Sequence, residues 1–185
     1  ARSSARHIRE EARALLRLLL NLLDISKSEE GRLVAVRGEV ELQPLFAEVL
    51  EAFELRASAA GVRLEQSVSA PAFDGDRELL RRVVENLLDN AIRHSPSGSK
   101  VRLSAAAVEQ TVVVEVADAG AGIAPELRGS IFERYVQAGA GERGGERTGR
   151  GLGLAFCKLA VEAHGGTITV EDARPGSVFR VRLPR

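Results

Sequence analysis

Four short runs in the C-terminal half alternate apolar and polar residues, and they constrain the fold more than any other feature of the chain. They span residues 100–107, 111–118, 167–171 and 177–183, and the second opens on the β-branched series Thr111-Val112-Val113-Val114. A period of two places every second side chain on one face of a sheet, so each run has a face to bury. Short turns join the first run to the second and the third to the fourth, which favours antiparallel pairing. Helical periods occupy about 44–60, 77–94 and 150–164, with further strands at 33–42 and 62–68 and a short helix about 125–135. The expected class is α+β, a two-layer α/β sandwich whose mixed, mostly antiparallel sheet carries helices on one face, and not a doubly wound fold.

A long N-terminal helix is expected to precede this sandwich. Over residues 6–26, Leu15, Leu18, Leu19, Leu22 and Ile25 form one stripe, while Leu16, Leu20 and Leu23 fill a second. A helix apolar round most of its circumference has to be packed on several sides, which suits a dimerisation bundle. The polar stretch from Ser26 to Gly31 breaks it, so residues 1–31 read as an extension and 32–185 as the main domain. With 44% apolar and 28% charged residues, the 185-residue chain can bury one core and an appendage. Lys+Arg and Asp+Glu are both 26, and aromatics make up only 4%, so neither nucleic acid nor an anionic membrane is an expected partner. The lone Cys157 excludes an internal disulfide, and no apolar stretch is long enough to span a bilayer. A cytoplasmic location is expected, and since the chain opens in mid-pattern at Ala1, a parent anchored upstream is compatible with it.

Three motifs carry candidate chemistry. On the helix at 77–94, Asn86 and Asn90 are four residues apart and share a face, where their neutral oxygens suit a Mg²⁺ already ligated by phosphates and waters. Arg93 follows one turn on, where its fork could meet a phosphate. The plainer alternative is that the two amides merely line a polar helix face. In Asp118-Ala119-Gly120-Ala121-Gly122-Ile123, a carboxylate at a strand end can accept the exocyclic amine of adenine, and the glycines let backbone approach the ring; alone, the motif is only a turn. Gly149-Arg150-Gly151-Leu152-Gly153-Leu154 opens a helix, whose free N–H groups make a phosphate site. The glycine-rich stretch 137–149 before it has no apolar period and reads as a lid. Neither a dinucleotide-binding βαβ context nor a Gly-Lys-Ser/Thr loop accompanies these glycines.

In their order along the chain, Asn86–Ser95, Asp118–Ile123, Ile131-Phe132-Glu133-Arg134-Tyr135 and Gly149–Leu154 resemble the N, G1, F and G2 boxes of the sensor histidine kinases. That superfamily includes type II topoisomerases, Hsp90 chaperones and MutL proteins, and shares a nucleotide-binding sandwich called the Bergerat fold. The resemblance covers about residues 33–184 and implies ATP and Mg²⁺ as cofactors. It implies that Asn90 and Asn86 hold Mg²⁺, that Arg93 and His94 face the phosphates or ribose, and that Asp118 reads adenine in a pocket shaped by Gly120, Gly122 and Ile123. It further implies that Gly149, Arg150, Gly151, Leu152, Gly153 and Leu154 bracket the phosphates, and that Tyr135–Thr148 is an ATP lid anchored by Phe132 and Arg134. The N-terminal extension is similar to the second helix of the family's dimerisation domain, with Leu23–Gly31 as its exit. The family's phosphoacceptor box is absent, and His7-Ile8-Arg9-Glu10 does not match it, so this fragment alone is not expected to autophosphorylate. The implied partners are a phosphoacceptor helix of the same kinase, a response-regulator receiver domain, and a second copy joined through the N-terminal helix.

The hydrolysing relatives resemble Glu-x-x-x-Asn where this chain has Asn86-x-x-x-Asn90. An amide cannot take a proton from water at neutral pH, so transfer to another nucleophile is the better reading and a gyrase-like ATPase the poorer one. Glu85 sits about 100° round the helix from Asn86 and reads as a structural carboxylate. A nucleotide-binding regulatory module without phosphotransfer is the alternative. Arg143, Arg147 and Arg150 read either as solvated lid charges or as extra phosphate contacts. Cys157 reads as core packing, and His164 as a partner of its helix C-terminal dipole.

Overall fold

The computed structural model describes residues 12, 15–16, 19–26, 33–70, 72–136 and 151–185. A helical segment, α1 (residues 19–26), precedes β1 (Gly38–Glu41), α2 (Leu42–Ala60), β2 (Arg63–Val68), β3 (Ala72–Gly75) and α3 (Arg77–His94). Then come β4 (Lys100–Val108), β5 (Thr111–Ala117), two 3-10 turns (Pro125–Leu127 and Ser130–Phe132), α4 (Gly153–Ala163), β6 (Thr167–Asp172) and β7 (Ser177–Pro184). The larger sheet has the order β2-β4-β5-β7-β6, in which β2 and β4 run parallel and every other pair is antiparallel. This is the mixed, mostly antiparallel sandwich that the strand spacing requires.

The alternation in β5 and β7 sets the two faces. Val112 stands opposite Leu183, Val114 opposite Val181 and Val116 opposite Phe179, and all six side chains are buried beneath the helices. Burying side chains of this kind contributes about 1.5–3 kcal/mol each. The intervening positions face away from the helices, where Arg180 bonds Glu115 of β5 and Glu171 of β6. Helices α2, α3 and α4 all pack on the first face. α3 contributes most to the core, through Leu80, Val83, Val84, Leu87, Leu88, Ala91 and Ile92.

Several boundaries differ from the sequence reading. The strand expected over 33–42 is regular only at Gly38–Glu41, and Leu42, fully buried, already belongs to α2. Its partner β3 was not anticipated, because a four-residue strand is too short to show a period. The helix expected about 125–135 is two 3-10 turns, and Tyr135 closes the segment with a left-handed φ of 64°. The helix expected from 150 begins at Gly153, after Gly151 with φ 65°. The break expected after Ser26 falls mostly at residues 27–32, outside the described residues, as does His7.

α3 begins at a well-defined cap. Asp76 Oδ1 accepts from the N–H groups of Glu78 and Leu79, each at 3.0 Å, and its Oδ2 accepts from Val36 N–H at 2.9 Å. The Asp76 N–H itself donates to Nε2 of His164 at 2.8 Å, while Nδ1 of that ring lies 2.7 Å from the Ala160 carbonyl. The Nε2 that faces the amide must accept, so Nδ1 donates to the Ala160 carbonyl: His164 serves the C-terminal end of α4, as expected, and also links α4 to the α3 cap. His164→Ala strands the Asp76 amide and should destabilise the chain by about 1–3 kcal/mol in urea titration.

Candidate nucleotide site

α3 is held against the core by its apolar face, which leaves Asn86 and Asn90 half-buried along one edge. Asn86 Nδ2 donates to the Arg82 carbonyl at 2.7 Å, and its Oδ1 accepts from Asn21 Nδ2 of α1 at 3.3 Å. Asn90 makes no side-chain hydrogen bond among the described residues, so its amide is open to a ligand. The start of α4 comes close here: a Cβ at Gly153 would lie 2.8 Å from Asn86 Oδ1. Glu85 is buried and paired with Arg81, as a structural carboxylate should be.

Arg93 is bonded to Asp89 on its own helix, and Asp89 also takes Arg56 of α2. His94 is exposed as a residue, yet the covering of its imidazole pushes its pKa down; the Arg93 charge adds to this and Asp118 opposes it. The ring therefore meets a ligand as a neutral donor and acceptor at physiological pH.

Asp118 lies buried just beyond the end of β5. Its Oδ1 accepts from Gly120 N–H at 2.8 Å and from Ser177 N–H at 3.3 Å, and Oδ2 makes no hydrogen bond among the described residues. Burial raises its pKa above the ordinary carboxylate value, against the two amide donors and His94, which lower it. Gly120 is required by close approach, since a Cβ there would meet the His94 carbonyl at 2.7 Å. Gly176 has φ 97°, and a Cβ on it would meet the Asp118 carbonyl oxygen at 2.0 Å.

The turn between β6 and β7 thus forms a wall of the site. Asp118 N–H also donates to the Ser177 carbonyl at 2.9 Å. Arg128 ties the end of the glycine turn to the same wall, donating to the Ile123 carbonyl at 3.0 Å and to Asp172 Oδ1 at 2.6 Å. Gly176, Ser177, Arg128 and Asp172 escaped the sequence reading because their roles depend on backbone groups or on pairing across 44 or more positions.

Of the remaining expected site residues, Ile123 packs on the core and Arg134 is half-buried. Tyr135 is exposed, and its N–H donates to the Gly151 carbonyl at 3.0 Å. Leu152 is buried with Ile25 and Ala155, and Leu154 packs against the main core, so only the backbone at these two positions is free to serve a phosphate. Gly149 and Arg150 lie outside the described residues, as do Arg143, Arg147 and the expected lid at 137–149. Cys157 is buried with its Sγ toward the Val83 carbonyl, and burial pushes its pKa far up, in keeping with a packing role.

A buried carboxylate with one free oxygen, a glycine turn pressed on α3, and an amide pair facing the start of α4 define a nucleotide-binding α/β sandwich. Residues 75–185 match the family model of histidine kinase-, DNA gyrase B- and HSP90-like ATPases, and the chain belongs to that family. Within it the similarity is to sensor histidine kinases. The sensor protein KdpD of Clostridium acetobutylicum is 36% identical over 183 residues, which are 96% of this chain and 20% of that protein. The crystal structure of full-length ShkA in complex with AMPPNP superposes with a TM-score of 0.80 at 29% identity, covering 99% of this chain and 38% of that one. Histidine kinase ThkA, in its complex with the response regulator protein TrrA, gives a TM-score of 0.74 at 25% identity over 97% of this chain and 50% of that one. The chain therefore spans half or less of the length of these proteins.

Replacing Asp118 separates binding from stability. If Asp118 reads the base, Asp118→Asn removes a charge-assisted bond, and affinity for an ATP analogue should fall by roughly 10- to 150-fold in calorimetric titration. Because the folded state raises the Asp118 pKa, its ionised form opposes folding at neutral pH. The thermal midpoint of Asp118→Asn should thus equal or exceed that of the parent at pH 7. The difference should vanish below the ordinary carboxylate pKa, where Asp118 is protonated in both folded and unfolded chains, and open as the pH rises through its raised value.

Proposed function

We propose that this chain is the catalytic module of a two-component sensor histidine kinase, transferring the γ-phosphate of ATP to a histidine on a dimerisation helix outside this chain, for relay to a response-regulator aspartate. The observation that carries the reading is Asn86. It occupies the position at which hydrolysing relatives resemble a glutamate, its amide cannot act as a general base, and Glu85 is engaged with Arg81. Water bound beside the phosphate is left unactivated, so a better nucleophile has to be supplied.

The donor set suits Mg²⁺. Two neutral amides are enough for an ion that keeps phosphate oxygens and waters, and among the described residues no group of three or more His, Cys, Asp or Glu could form an all-protein cage. Bound there, the cation would offset charge on the transferred phosphate. The chain's own task is positioning: Asp118 holds the base, Gly120 and Gly176 let backbone close round it, and the amides of α3 fix the phosphate end.

Exposed Leu19, Leu20, Leu22 and Leu23 of α1, with exposed Leu15 and Leu16 before it, support further helix packing here, from a phosphoacceptor helix and a second copy. No helix among the described residues is long and apolar enough to cross a membrane, and the module is assigned to the cytoplasm, where ATP and a response regulator are available. Titration with a non-hydrolysable ATP analogue in Mg²⁺ and again in chelator should show metal-dependent binding that Asn90→Ala abolishes. Labelled phosphate should then pass from ATP to an added phosphoacceptor helix and not to water. Retained Mg²⁺ dependence in Asn90→Ala would remove the metal assignment, and binding without transfer would leave a regulatory nucleotide-binding module.

A further inference from the structure

α1 reaches the site through a closed ring of polar contacts. Asn21, Asp24 and Ile25 share one face of the helix and are all buried, at 2%, 7% and 2% exposure. Ile25 packs with Leu152 and Ala155 at the start of α4. The two polar residues meet Arg82 of α3, itself buried and lying 4.1 Å over the Phe156 ring of α4. Arg82 forms an ion pair with Asp24 and donates from its second terminal nitrogen to Asn21 Oδ1 at 2.8 Å. Asn21 Nδ2 donates to Asn86 Oδ1, and Asn86 Nδ2 donates to the Arg82 carbonyl.

Donor and acceptor roles follow from the two ends of this ring. A guanidinium can only donate, so the Asn21 atom facing it must be oxygen and its nitrogen must face Asn86. A carbonyl can only accept, so the Asn86 atom facing Arg82 must be nitrogen. The Asn86 oxygen is therefore fixed toward Asn21 and Gly153, with a second lone pair left for a ligand. Without Asn21, the Arg82 carbonyl is the one hydrogen-bond partner left to that amide among the described residues.

We infer that Asn21 of α1 is a positioning residue of the nucleotide site: it aims the Asn86 amide oxygen, while the Arg82–Asp24 pair holds α1 in place to do so. The inference rests on the reading of Asn86 and Asn90 as the metal- and phosphate-facing pair. It makes α1 part of the site, so the separated sandwich would keep the base pocket but lose the definition of its phosphate end.

Asn21→Asp tests this, because it keeps an oxygen for Arg82 but offers no donor to Asn86. In the metal-free chain the Asn86 side-chain amide resonances should shift and exchange faster with water. In titration with AMPPNP, the gain in affinity that Mg²⁺ brings should fall about tenfold, the size expected from one lost hydrogen bond, with affinity in chelator unchanged and with a loss larger than in a variant of equal thermal midpoint. Asp24→Asn is the companion variant, loosening the anchor without altering Asn21. Equal losses in both variants, tracking a common fall in midpoint, would mean that Asn21 only holds the helix down, and would overturn its role in aiming Asn86. Unmoved Asn86 resonances with full Mg²⁺ dependence in Asn21→Asp, while Asn90→Ala loses it, would overturn the inference and leave the site reading intact. Retained Mg²⁺ dependence in Asn90→Ala would overturn both.

Discussion

The site hangs on the pairing of β5 with β7. The ladder runs on one step past the end of β5: Asp118 gives its N–H to the Ser177 carbonyl and takes the Ser177 N–H on its own carboxylate. This reciprocal contact fixes the proposed base-reading side chain in register with the core, because the same ladder aligns Val112, Val114 and Val116 with Leu183, Val181 and Phe179. A slip of one residue would turn that apolar set toward the solvent face and carry Asp118 with it. The apolar core thereby specifies the position of the polar group, which is why a buried carboxylate with a raised pKa can be kept there at all.

The second half of the site depends on α3. Its buried stripe fixes rotation about the helix axis, and that rotation places Asn86 and Asn90 along the edge that meets Gly153. Both halves meet at the end of α3, where the His94 carbonyl is so near Gly120 that no side chain fits between them. The groups proposed to read the base and to handle the phosphates are thus referenced to one helix.

Much of this arrangement was legible in the sequence, for a physical reason. Asn86, Asn90, Asp118 and Gly120 are residues whose proposed roles rest on the side chain, or on its lack, so type and spacing mark them. Ser177 and Gly176 act through backbone groups, and Arg128 joins a carbonyl to a carboxylate far along the chain, so neither composition nor period marks them. His164 was legible as a partner of the C-terminal end of α4, but only the tertiary fold brings the Asp76 amide to its ring. The leucine stripes mark the N-terminal helix in the sequence, but its polar Asn21 and Asp24 carry the contact with α3, and an apolar pattern does not reveal such residues.

One parallel pair in an otherwise antiparallel sheet has a consequence for how the chain folds. β4 with β5, and β6 with β7, are joined by short turns and can zip from their bends. β2 must instead wait for β3 and all of α3 to be laid down before Arg63 meets Lys100. Closing so long a segment is entropically slow, and it rewards the chain only once α3 is helical and docked. The helix bearing the amide pair is therefore on the route by which the last strand joins the sheet, and changes that weaken its docking should retard folding as well as loosen the site.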